Sequence, residues 1–295
     1  MDLLNKIAEQ DVRALARAIT IVENELDGSE TFLKSLPFKR NVPVIGITGP
    51  PGAGKSTLVN SLIKHITSIG KKVAIVAIDP TSPFNYGSIL GDRIRMAEHF
   101  NNENVFIRSL ATRGSLGGLS VKTIEICDVL KNAWFDYIIV ETVGVGQSEV
   151  EIVGLSDTTV LVLVPEAGDE VQSIKSGIME IADIFVVNKS DRPGADLYAR
   201  NIISMLHEKP NSTWTPPVIK AIAAQNIGAE ELFNKIVEHQ KGNISSYRTF
   251  LFTEKAFRLI QAKRTKDIHR QTLKAEIEKL ISEGKFNLYQ YVESK

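Results

Sequence analysis

The chain has 295 residues, 43% of them hydrophobic, with 35 basic residues against 35 acidic. Zero net charge speaks against broad, non-specific nucleic-acid binding. The apolar runs, of which Val160 to Val164 is typical, fall short of the ~18 residues a membrane span needs. The single cysteine, Cys127, excludes a disulfide framework within the chain and suits a reducing, cytoplasmic compartment.

At the start, charged residues are mixed through an apolar pattern with no separate basic segment, which does not match a signal peptide. Leu4, Ile7, Leu15, Ile19, Val22 and Leu26 recur at helical spacing and predict one amphipathic helix over 3–26, ended at Asp27-Gly28-Ser29. A linker with Pro37 and Pro43 follows, and residues 1–41 read as a helical extension. From 42 to 241, short β-rich runs alternate with helical ones. Strands are predicted at Val42–Thr48, Val73–Ile78, Val105–Arg108, Tyr137–Val140, Thr158–Val164, Ile184–Val187 and Val218–Ile222. Helices are predicted at about 55–69, 92–100, 120–134, 170–181, 195–208 and 229–240. The runs 73–78, 137–140 and 158–164 are nearly continuous apolar, as strands buried on both faces should be. The fold class is therefore α/β, a mostly parallel doubly wound sheet whose ligands sit at the carboxyl ends of strands. Residues 242–295 are helical and charged, with Phe250, Phe257, Ile260, Ile277, Leu280 and Ile281 as an apolar stripe. They suit packing on the core or on a second copy of the chain.

Directly after the first strand stands Gly49-Pro50-Pro51-Gly52-Ala53-Gly54-Lys55-Ser56-Thr57. It fits Gly-x4-Gly-Lys-Ser/Thr between a strand and a helix, the context a phosphate-binding P-loop requires. Glycines let successive backbone N–H groups turn toward phosphate oxygens, and the new helix adds the positive end of its dipole. Lys55 can reach the β- and γ-phosphates, and the Ser56 hydroxyl can ligate Mg²⁺. Asp79, Asp92 and Glu141 lie at strand or helix ends where a carboxylate can join the Mg²⁺ shell. A helix N-cap is the bland reading of Asp92, and a turn before proline that of Asp79. Glu141-Thr142-Val143-Gly144 stands where GTPases carry Asp-x-x-Gly. There the acid holds Mg²⁺ and the glycine N–H senses the γ-phosphate.

Asn188-Lys189-Ser190-Asp191 follows the sixth strand run. Asn-Lys-x-Asp at a strand end is the guanine-recognition pattern of GTPases. The Asp191 carboxylate can accept two hydrogen bonds, from guanine's N1–H and amino group. Asn188 either bonds the ring or ties its loop to the P-loop, and the Lys189 stem can cover the base. Alone, the tetrapeptide also suits an Asx turn before Pro193-Gly194. Ala223-Ala224-Gln225, after the last strand, offers backbone N–H groups to the guanine oxygen; a plain strand-to-helix loop is the alternative. For positioning the attacking water, Gln147 is the local candidate. Arg93, Arg95, Arg108 and Arg113 are unranked candidates for charge stabilisation.

Taken together, Ala14 to Thr20, Gly49 to Thr57, Asp79-Pro80-Thr81-Ser82-Pro83-Phe84, Ser88 to Met96, Arg113-Gly114-Ser115-Leu116-Gly117-Gly118-Leu119, Glu141 to Glu149 and Ala167-Gly168-Asp169-Glu170 resemble the MeaB/ArgK family. These are P-loop G-proteins associated with methylmalonyl-CoA mutase. The resemblance implies a GTP/GDP- and Mg²⁺-binding GTPase that serves an adenosylcobalamin-dependent acyl-CoA mutase as a chaperone. It also implies a homodimer formed largely through C-terminal helices. Residues 79–95 and 141–149 would be its two switches. Residues 164–175, with Gln172 and Lys175, would be a further switch facing the mutase. Tyr86, Glu166 and Asn226 depart from glycines usual in the family. Two rival functions share the fold class. A metal-delivery GTPase needs soft ligands, but one Cys and five scattered His, at 65, 99, 207, 239 and 269, give no ligand spacing. A P-loop kinase needs an acceptor pocket with a base, and no pattern marks one.

Overall fold

The computed structural model describes residues 2–37, 42–79, 96–111, 121–142, 144, 151–167, 182–207, 214–242 and 244–295. Contacts divide the chain into Met1–Phe252 and Thr253–Lys295.

The first unit is built on seven strands: β1 (Val44–Thr48), β2 (Val73–Asp79), β3 (Val105–Ala111), β4 (Tyr137–Glu141), β5 (Thr158–Leu163), β6 (Ile184–Val187) and β7 (Val218–Lys220). They lie in the order β3-β2-β4-β1-β5-β6-β7 and every pairing is parallel. All seven predicted strands are present, with ends shifted by up to three residues. From β1 the chain runs to β2 and β3 on one side, returns with β4 between β2 and β1, and then runs outward through β5, β6 and β7 on the other, which places the loop after β1 at the crevice such sheets use for ligands.

Each strand buries alternate side chains in different layers because successive Cβ atoms point to opposite faces. On one face Val44, Ala74, Val76, Ile138 and Val140 form a core with Leu15, Ile19 and Val22 of α2 (Val12–Glu23) and with α5 (Val121–Lys131). On the other, Ile45, Ile47, Ile75, Ile139, Val160 and Val162 pack with α4 (Lys55–Ser68) and α7 (Ala229–Lys241). A third cluster joins Leu161, Leu163, Phe185 and Val187 to α6 (Ala195–His207). Of the other predicted helices, 170–181 lies outside the described residues, as does half of 92–100. Residues Ala97–His99 form one 3-10 turn.

The amino-terminal segment departs from its sequence reading. The single helix expected over 3–26 is two, α1 (Asp2–Ala8) and α2. Gln10 takes a left-handed φ of 67°, and Asp11 caps α2 by accepting from the N–H groups of Arg13 and Ala14 at 2.8 and 3.0 Å. An Asx cap competes well with a continuous helix because it satisfies donors that a helix start leaves open. The supposed linker contains a third helix, α3 (Ser29–Ser35). Leu26 lies beyond the end of α2 and is exposed.

The second unit takes up the end of α8 (Ile244–Arg264), then α9 (Arg270–Ser282) and α10 (Leu288–Glu293). Within it, Asn287 caps α10, the Tyr291 hydroxyl donates to Glu276 at 2.6 Å, and Lys295 pairs with the same carboxylate.

Candidate functional site

Residues 49–54 turn the chain from β1 into α4. Gly49, Gly52 and Gly54 have φ of 138°, 76° and 85°, in the region that disfavours side chains. Space adds a second constraint. A Cβ at Gly49 would lie 2.1 Å from the Val162 carbonyl oxygen, and one at Gly54 would lie 2.4 Å from the Asn188 amide nitrogen. The loop is thus pressed between β5 and the loop after β6. Gly54 caps α4 with no side-chain hydrogen bond, so the helix presents its amino end directly to the loop. Lys55 is buried, and its ammonium folds back to donate to the carbonyls of Gly49 (2.8 Å) and Pro50 (3.1 Å). Gly144 sits against that ammonium. Any Cβ there would fall 2.4 Å from Lys55 Nζ and 2.7 Å from the Gly49 oxygen.

Beside the loop, the Ser56 hydroxyl donates to Glu141 Oε1 at 2.6 Å, with both side chains buried. Parallel pairing explains the meeting: Glu141 ends β4 in register with Ile47 of β1. The next residue, Thr142, continues the seam by donating its N–H to Ile47 and its hydroxyl to Thr48, each at 3.0 Å. A hydroxyl and a carboxylate in contact are hard oxygen donors of the kind Mg²⁺ takes, so the residues present fit that ion. Asp79 closes β2, two strands from β1 on the same sheet edge. Asp92, Gln147, Gln172, Lys175, Tyr86, Arg93, Arg95 and Arg113 lie outside the described residues.

The far end of the site is organised by Asn188, which is 2% exposed. Its amide nitrogen donates to the Ala53 carbonyl (2.8 Å), and its amide oxygen accepts from the Ala223 N–H (3.1 Å). Of the two roles open to it in the sequence, this arrangement is the tie to the P-loop. It joins the loops after β1, β6 and β7. Lys189 has a left-handed φ of 55° and sends its ammonium to the Gly52 carbonyl at 2.8 Å. The Ser190 N–H donates to Ala221 and that of Arg192 to Lys189, both at 3.0 Å. Asp191 stands exposed on the turn so formed. The third loop is more committed internally than its sequence suggests. The Ala223 N–H is taken by Asn188 and the Gln225 N–H by Ile222; Ala224, between them, is exposed. Asn226 ends this turn at φ 58°, a conformation Asn accepts in place of glycine.

Two residues stand apart from the site. Arg108 pairs with Val76 midway along β3 and is ion-paired with Glu23 of α2. It belongs to the buttress between the edge strand and the amino-terminal helix. His239 lies between Thr158 (2.9 Å) and Asp183 (3.3 Å), with Trp214 against its ring. Among the described residues no three His, Cys, Asp or Glu gather as metal ligands. No helix there is long and apolar enough to cross a membrane. The Glu166–Arg192 ion pair beside the Asp191 turn has no signal in the sequence.

The sequence profile of the family described as Methylmalonyl Co-A mutase-associated GTPase MeaB matches residues 15–278. A protein of Pyrococcus horikoshii named as a GTPase is 47% identical over 270 residues, covering 90% of this chain and 82% of that protein. GTPase ArgK of Escherichia coli is 35% identical over 255 residues, covering 83% of this chain and 77% of ArgK. A solved LAO/AO transport system kinase aligns with a TM-score of 0.72 at 23% identity, covering 99% of this chain and 95% of that one. At that identity the likeness speaks for the fold.

Proposed function

The chain belongs to the MeaB family of methylmalonyl-CoA mutase-associated GTPases, and from that premise we propose that its GTP cycle gates cofactor loading or protection of an adenosylcobalamin-dependent acyl-CoA mutase. The observation that carries the nucleotide half is the buried Asn188, which binds the P-loop, the Asp191 turn and the loop after β7 into one unit. Phosphate and base ends are thereby set at a fixed separation, as a guanine nucleotide needs.

In this reading Lys55 exchanges the carbonyls of Gly49 and Pro50 for the β- and γ-phosphate oxygens, and the N–H groups of the loop Gly49 to Thr57 line the same oxygens. Ser56 and Glu141 would hold Mg²⁺, with Asp79 and Asp92 as further candidates. Bound there, the ion neutralises charge that develops on the phosphate oxygens. Asp191 accepts from guanine N1–H and the amino group, Lys189 covers the base, and Ala224 offers its N–H to the guanine oxygen. Gln147 orients the water that attacks the γ-phosphorus as the bond to the departing GDP oxygen breaks. Positioning is most of what phosphoryl transfer asks of a protein. A catalytic set this sparse implies slow turnover alone and faster turnover when a partner orders the site.

Homodimer formation is part of the proposal. The carboxy-terminal unit leaves Phe257, Ile260, Ile281, Leu288 and Val292 exposed, more apolar surface than a lone helical arm needs. Light scattering on Phe257→Asp and Ile281→Asp variants should read a monomer where the parent reads a dimer.

The deciding experiment is GTP hydrolysis with and without a cobalamin-dependent mutase, with Lys55→Ala as control. Acceleration by the mutase and co-elution with it are expected. An unchanged rate with no co-elution would remove the chaperone role, and a preference for ATP over GTP would favour a kinase.

A further inference from the structure

The turn that carries Asp191 is held from three sides. Asn188 and Lys189 tie it to the P-loop, and the Ser190 N–H ties it to Ala221 after β7. The third tie is an ion pair from Arg192, the residue after Asp191, to Glu166. Glu166 belongs to the 3-10 turn Pro165–Ala167, which follows β5 directly. The hydrogen bond from Arg192 holds the Glu166 carboxyl below the usual carboxylate range. The first two ties fix the backbone at positions 188–190, and the Arg192 N–H closes the turn onto Lys189. Beyond Asp191, the Arg192 side chain is what ties the closed turn to the segment after β5, where the rotation of the turn sets the direction of the carboxylate.

We propose that Glu166 and Arg192 are positioning residues for guanine recognition. Their ion pair holds the Asp191 carboxylate where it meets two guanine donors at once, and it makes the segment after β5 sensitive to which base is bound. The inference rests on the guanine-binding reading above. As positioning residues, neither is assigned a contact with the nucleotide. Their effect passes through Asp191, so it falls on the donor that demands the closest aim.

The test compares GDP with IDP, whose hypoxanthine keeps N1–H but lacks the amino group. Both affinities are measured by calorimetry on the full chain for the parent, Glu166→Gln, Arg192→Gln and the charge swap Glu166→Arg with Arg192→Glu. Because both side chains are exposed and screened, the preference of GDP over IDP should fall by only about two- to fivefold in each single variant. The swap should recover most of it, and thermal midpoints should stay unchanged. High salt should shrink the difference between parent and single variants. An unchanged preference in both single variants overturns the proposal. So does an equal loss of GDP and IDP affinity, which marks general loosening, or a swap that recovers nothing. Failure of the parent to bind GDP would instead bring down the guanine-binding reading itself, and this proposal with it.

Discussion

The Ser56 hydroxyl, in the first turn of α4, lies 2.6 Å from a carboxylate oxygen of Glu141 at the end of β4, across 85 positions of sequence. The pairing puts the acid within reach of the same hydroxyl that a phosphate-bound Mg²⁺ would share. Glu141→Gln keeps the size and the hydrogen bond but removes the charge. Single-turnover GTP hydrolysis by this variant should fall by roughly a hundredfold, with a raised Mg²⁺ requirement and GDP binding in the absence of Mg²⁺ nearly unchanged. Full-rate hydrolysis at the parent's Mg²⁺ requirement would separate Glu141 from the metal.

Asn188 makes one donor and one acceptor bond in a buried setting. Asn188→Ala strands the Ala53 carbonyl and the Ala223 N–H, and each stranded group costs ~1–3 kcal/mol. Asn188→Asp should be worse than its size suggests, since it keeps the acceptor for Ala223 but turns a carboxylate toward the Ala53 carbonyl. Urea unfolding should rank parent above both variants, and stopped-flow release of GDP should be faster in both. Slow parental release from a destabilised Asn188→Ala protein would show that the tie serves the fold alone.

Much of this was legible in the sequence, and the gaps have physical causes. The strands announce themselves because β1, β5 and β6 are buried at every position, which favours runs that are apolar apart from a glycine and a few threonines. The P-loop is legible because its glycines answer to backbone geometry rather than to side-chain chemistry. The break at Gln10-Asp11 was hidden by the eight-residue step from Ile7 to Leu15, which keeps helical phase across a cap. Whether Asn188 turns to a base or to Ala53 depends on how three loops from non-adjacent parts of the chain meet, and no local pattern encodes that. The same holds for Glu166 with Arg192 and for Glu23 with Arg108.

Gly46 lies in mid-strand, yet its lack of a side chain is a packing requirement. A Cβ there would stand 2.5 Å from Ile152 Cγ1 and 2.9 Å from the Ser156 hydroxyl. The turn Ile152–Gly154 therefore rests directly on β1. Gly46→Ala should destabilise by ~1–3 kcal/mol through overpacking. Ile152→Ala in the same chain should return part of that, giving a non-additive pair in denaturant titrations. Simple additivity would mean that the turn shifts freely off the strand.

His99 gives the fold a pH dependence that can be traced to one network. The imidazole is buried against α4, with Nε2 2.6 Å from the Asn60 amide oxygen. Asn60 in turn donates to Glu98, which pairs with Lys64 at 3.1 Å. The Asn60 amide oxygen can only accept, so Nε2 is the donor and carries a proton. Burial lowers the His99 pKa below its ordinary 6.5, against the opposing pull of Glu98. A histidine held neutral by the fold is protonated more readily when unfolded. Its stabilisation is therefore present above about pH 6.5 and is lost as pH falls from there through the lower folded value. Thermal unfolding between pH 8 and pH 5 should show the midpoint dropping in this window more steeply for the parent than for His99→Gln, which keeps an amide donor but does not titrate. The other carboxylates titrate in both proteins and cancel in the comparison, and Glu98, which faces His99, is held below its ordinary 4.5 by its hydrogen bond from Asn60 and so stays outside the window. Parallel slopes would mean that His99 is protonated as easily in the folded chain as in the unfolded one, and the neutral relay to Asn60 would fall with that result.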